Sequence, residues 1–161
     1  KNSDILIIYA NIKTDSDLFA NLKLKTKITF SIDTIIASIY PILGIELAKV
    51  TITNKHIHIE NRHNNTIELI NFSEFDSKFN LRKLQSSMIQ FNNKKDTIKY
   101  NNSHFSGIFT NYIPLTLKPT SKMVFLPKSV IFKVINNNKS PVEKHQINID
   151  YKSIKFFSIE T

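Results

Sequence analysis

Between Leu22 and Phe30 the chain alternates in polarity without a break, and this pattern restricts its fold more than any other stretch. Leu22, Leu24, Thr26, Ile28 and Phe30 fall on one side of an extended strand, while Lys23, Lys25, Lys27 and Thr29 fall on the other. A sheet with one wet face satisfies such a pattern, and a helix does not. Related runs predict strands over 5–13, 34–40, 45–53, 55–61, 66–71, 97–101, 105–111, 122–126, 129–136 and 146–157. Only two glycines punctuate these runs, so the turns are expected to be built from Asn and Asp. Pro114, Pro119, Pro127 and Pro141 are read as lying between or at the edges of strands, where a missing amide does no harm.

The period changes once. Ser73 and Asp76 resemble a capping box, and Phe75 and Phe79 follow at helical spacing. Leu81, Leu84, Met88 and Phe91 then recur at three and four residues, with Arg82, Lys83, Ser86 and Ser87 facing away. A meander, a short helical insertion and a second meander give a mainly β fold. The expectation is a strongly curved antiparallel sheet or incomplete barrel, with the helices on its concave side, in one domain over 1–161.

A chain of 161 residues buries roughly 70% of its unfolded surface, so neither metal nor disulfide is needed to hold it. Cysteine is absent, which removes thiol nucleophiles and thiolate metal sites. The excess of 22 Lys and Arg over 13 Asp and Glu gives +9 and favours an anionic partner, although an AT-rich genome also enriches Lys, Asn and Ile. No run approaches the roughly 18 apolar residues of a membrane span. Residues 1–4 do not resemble a signal peptide.

Catalytic chemistry has no residues to rest on. His56 and His58 share one face of a strand, with His63 in the next turn, but no third ligand or supporting shell is marked, so they are read as solvent-face residues and no metal or cofactor is expected. His104 and His145 stand in polar surroundings, and no nucleophile elbow, phosphate loop or carboxylate cluster occurs. Phe30, Phe105, Phe125 and Phe132 occupy inward positions, out of reach of nucleic-acid bases, so nucleic acid is not the expected partner.

Two features suggest contact with something apolar. Leu24, Ile28, Phe30, Ile52, Ile57, Ile59, Leu84 and Met88 face inward and are expected to line a cavity, with Met88 and Met123 as adaptable walls. A filled core is the alternative from the residues alone. Pro41-Ile42-Leu43-Gly44 places two large aliphatics in a turn, where they either fold back onto the core or remain outside to touch an apolar surface. Lys23, Lys25 and Lys27 form a basic stripe suited to an anionic surface.

The order of elements and several short motifs resemble the LolB-like outer-membrane lipoproteins, and more closely a Bacteroidota family of such lipoproteins of unknown function. The resemblance rests on residues 35–40, Pro41-Ile42-Leu43-Gly44, residues 45–53, residues 57–62, Leu84-Gln85 within 75–90, Phe125-Leu126-Pro127-Lys128 and Phe157-Ser158-Ile159. It implies a non-catalytic, lipid-anchored, periplasm-facing outer-membrane protein, with a signal peptide and a lipidated cysteine upstream of Lys1. Lipid or lipoprotein acyl chains would sit in the barrel, a LolA-like carrier would supply them, and the chain would act as a monomer. Leu43 matches the protruding leucine that helps insert lipoproteins into the outer membrane, while Ile42 is an extra residue in that loop. The alternatives are a carrier of another apolar ligand without transfer, and a structural subunit of an envelope complex.

Overall fold

The alternation around Lys25 does build a strand, and its inner row is buried. In the computed structural model of the protein, residues 3–15, 22–40, 44–71, 80–91, 95–101, 105–134 and 143–159 are described. Ten strands follow the chain: β1 (Ser3–Thr14), β2 (Leu24–Phe30), β3 (Ile35–Tyr40), β4 (Ala48–Ile52), β5 (His56–Asn61), β6 (Thr66–Asn71), β7 (Thr97–Asn101), β8 (Phe105–Thr116), β9 (Met123–Val134) and β10 (Glu143–Ile159). Among the described residues one helix, α1 (Leu81–Met88), falls between β6 and β7.

All neighbouring strands pair antiparallel, in the order β6-β5-β4-β3-β2-β1-β10-β9-β8-β7. The first and last strands therefore lie side by side at the centre, with Leu6 opposite Phe156 and Ile8 opposite Ile154. Register continues outward through Leu6 to Phe30 and Phe30 to Ile35, so one face collects the apolar rows of successive strands. Ile8, Phe109, Val124, Leu126 and Leu81 are fully buried there.

The expected strongly curved, incomplete LolA/LolB-like barrel is corrected by this order: the sheet is open and not curled up. Closure needs the two end strands to share a hydrogen-bonded register, and β6 and β7 share none. Alternation specifies which face is buried; it does not specify how a sheet ends.

The helix is short, eight residues or about two turns, and is held by its caps and by packing. Asn80 caps it, with its side chain accepting from Lys83 N at 3.1 Å, and Asn54 Oδ1 accepts from Leu81 N at 3.0 Å. Leu81, Leu84 and Ser87 are buried against the sheet. Eight residues do not hold a helix in water, so the fastening is tertiary. Gln85 Nε2 donates to Ser31 O at 2.7 Å and the Tyr112 hydroxyl donates to Ser87 O at 2.6 Å. Beyond Ile89, which is already extended, Gln90 exchanges backbone hydrogen bonds with Phe125. Phe91, expected on the helix, lies past its end, and the expected helical turn at 73–79 lies outside the described residues.

Two prolines were expected outside strands and lie inside them. Pro127 sits within β9 opposite Tyr112 of β8, but β10 pairs with β9 only from Ser129 onward, so the missing amide leaves no gap on the β10 side. Its carbonyl accepts from the Tyr151 hydroxyl at 2.6 Å. Pro114 sits in β8 beyond Thr110, the last β8 residue that β7 reaches.

Candidate functional site

A groove of about 840 Å³ opens where α1 meets one end of the sheet. Its apolar lining comes from Leu6 of β1, Phe30 of β2, Ile89 and Phe91 after α1, Leu117 after β8, Phe156 of β10, and Ile32. Leu6, Phe30, Ile89 and Leu117 are buried and form its floor. Ile32 and Phe91 are 66% and 56% exposed.

Local chemistry explains why Ile32 stays outside. Ser31 N donates to Thr34 O at 2.9 Å, closing the turn between β2 and β3. The Asp33 carboxylate accepts from the Thr34 hydroxyl at 2.7 Å and from the Ser31 hydroxyl at 3.2 Å. Those hydroxyls hold its carboxyl below the ordinary carboxylate value. With Gln85 tied to Ser31 O, both walls of the groove are fixed to each other. Arg82, Lys122 and Asp4 stand on the polar rim with Ser86 and Thr120. Among the described residues neither Arg82 nor Lys122 has an ion-pair partner.

Of the eight residues expected to line a cavity, only Phe30 lines this one. Leu24, Ile28 and Leu84 are buried, with Ile28 and Leu84 in the core and Ile52 and Met88 packed against it; Ile57 and Ile59 are half-buried in β5. Met123, expected as a wall, is exposed outside the groove. Its two exposed apolar residues are legible in the sequence only as apolar side chains in polar settings, Ile32 between Ser31 and Asp33 and Phe91 before Asn92 and Asn93.

Pro41, Ile42 and Leu43 lie outside the described residues, so the loop tip has no structural account. Its flank is described. Gly44 has a φ of 73°, a conformation that favours glycine, and Ile45 beside it is exposed. Glu46 accepts from the Tyr40 hydroxyl at 3.3 Å and meets the Arg62 guanidinium at 3.0 Å, while Leu47 N donates to Ile39 O at 2.9 Å. Lys23 and Lys25 are exposed on the sheet face away from α1, whereas Lys27 is half-buried between Tyr9 of β1 and Ser38 of β3. His56 and His58 lie half-buried on that same face, with His58 Nδ1 3.7 Å from Glu60. Among the described residues no three His, Asp or Glu side chains converge as metal ligands, and no helix is long and apolar enough to cross a membrane.

No protein-family model matches the chain, and no curated protein matches it. The barrel behind the LolB-like reading is replaced by an open sheet. The LolB-like, outer-membrane and incomplete-barrel descriptions drawn from that reading lose their structural basis with it, and so does lipid binding inside a barrel.

Proposed function

We propose that the protein is a non-catalytic binding protein that holds an elongated apolar chain with an anionic or polar end in the groove between α1 and the sheet. The observation that supports this is the pair of large apolar side chains, Ile32 and Phe91, held exposed on the rim of an apolar floor. Covering either by a ligand is worth at most about 1.5–3 kcal/mol, the value for burying a whole side chain. A groove of about 840 Å³ falls within the roughly 300–1,000 Å³ range of small-molecule sites. Arg82 and Lys122 suit a carboxylate or phosphate at the chain's end. Acyl chains, free or attached to a larger carrier molecule, have this chemistry.

Displacement of a fluorescent fatty acid by laurate tests the reading. Phe91→Glu and Ile32→Glu should weaken laurate binding by about tenfold or more, since each removes apolar contact and adds a like charge. Both should melt near the wild-type temperature, because exposed positions carry little core energy. Unchanged affinity in folded variants, or no saturable binding by the wild type, would remove the groove as a ligand site. Handover of the cargo from a soluble donor to vesicles would be a further step, with Leu43→Glu as its variant.

A further inference from the structure

The face of the sheet away from α1 carries a second depression, of about 520 Å³, with chemistry opposite to that of the groove. Asn11 and Lys13 of β1 reach it from positions that alternate with core residues Ala10 and Ile12. Across the register Asn11 lies opposite Asp150, Lys13 opposite Asn148, and Asn148 opposite Ser129. Lys23 borders it just before β2, and Lys128 and Asn111 complete it from β9 and β8.

Asn111 and Lys128 border the depression where the β8–β9 ladder skips a pair. The register is the same on either side, with Thr110 opposite Ser129 and Tyr112 opposite Pro127, and Asn111 between them takes a φ of 57°, a left-handed conformation that Asn tolerates. Ser129 is buried except where it borders this depression.

The charge is unbalanced. Asp150 is the single carboxylate in the lining, and Lys152 Nζ already holds it at 2.8 Å. Its carboxyl is kept low first by the Lys152 hydrogen bond and charge, then by the charges of Lys23 and Lys128, which border the same depression. Lys13, Lys23 and Lys128 have no carboxylate partner among the described residues. Three amide side chains and one hydroxyl lie among these cations, and no aromatic ring is present to stack a base.

We propose that this depression binds a phosphorylated polyol, such as a sugar phosphate. The lysines meet the phosphate as point charges. Asn11, Asn111, Asn148 and Ser129 offer both donors and acceptors to hydroxyl groups. The site is independent of the groove, and it uses none of the groove's residues.

Calorimetric titration of the intact chain with glucose 6-phosphate, glucose, inorganic phosphate and a single-stranded oligonucleotide tests it. Saturable binding of glucose 6-phosphate is expected, with glucose and phosphate each weaker by about tenfold or more, as expected when a charge-assisted contact or a set of hydroxyl contacts is lost. Lys128→Gln and Lys13→Gln should each weaken it by about tenfold, whereas Lys99→Gln, on the same face at the β7 edge, should not. A second arm adds phosphatidylcholine vesicles containing phosphatidylinositol 4-phosphate: uptake competed by glucose 6-phosphate identifies a lipid headgroup, and no uptake identifies a free sugar phosphate. Absence of saturable glucose 6-phosphate binding, phosphate bound as tightly as the sugar phosphate, tighter binding of the oligonucleotide, or indifference to both lysine variants overturns the proposal.

Discussion

Tyr112→Phe removes one oxygen from the interior and leaves the ring in place. That oxygen donates to the Ser87 carbonyl at 2.6 Å, in the last turn of α1, where carbonyls lack helical partners. Ser87 is 3% exposed, so water does not readily replace the phenol. A buried acceptor left without its donor costs about 1–3 kcal/mol. No cavity term is added, because the ring still fills its space. For a chain of this size each kcal/mol corresponds to about 2–4 °C in Tm, so the central expectation is a fall of about 6 °C. Thermal and urea melts give the total. Amide exchange over residues 81–90 locates it, and those amides should lose protection more than the β1–β10 centre does. A variant within about 0.5 kcal/mol of wild type would show that the Ser87 carbonyl is satisfied without the phenol, and that α1 is not held to the sheet by this clasp.

Burial raises the Tyr112 phenol from 10.0 to about 12 and raises Tyr151 as well, with the Tyr112 charge as a second cause. The folded chain therefore keeps protons that the unfolded chain releases, so stability is intact below about pH 10 and falls as pH rises through about 12; urea midpoints across that window should fall less steeply in Tyr112→Phe. Gly107→Ala should destabilise by about 1–3 kcal/mol in melts, since its Cβ would lie 3.1 Å from the fully buried Phe109 ring; an unchanged midpoint would mean that the ring has room to move. Leu43→Glu is expected to change the unfolding free energy from urea melts by no more than about 0.5 kcal/mol, whereas a loss of several kcal/mol would make that loop a core plug.

The sheet was legible because period-two alternation is a local signal. Residues 66–71 and 97–101 were bounded correctly, and the buried row of β2 from Leu24 to Phe30 followed directly from its pattern. Pro127 split one strand into two expected ones, because tolerance of proline depends on where β10 stops pairing, which is a tertiary property. Openness of the sheet is likewise tertiary, since it depends on the ends β6 and β7 and on no single stretch. The groove was misplaced for a related reason. Inward-facing Ile28 and Leu84 pack against other core residues and fill the centre. The open space lies instead at one end of the sheet, where turns and strand ends from distant parts of the chain leave Ile32 and Phe91 uncovered. A large apolar residue in a turn is the sequence sign of such a site, and Ile32 between Ser31 and Asp33 carries it as Ile42 and Leu43 do.

Solution NMR of isotope-labelled protein with laurate tests the proposed groove most directly. Intermolecular NOEs should connect the laurate methylenes to Phe30, Ile32, Ile89, Phe91, Leu117 and Phe156, with the carboxylate end near Arg82 or Lys122. NOEs confined to the opposite face, or none at saturating laurate, would contradict the assignment of this groove as the binding site.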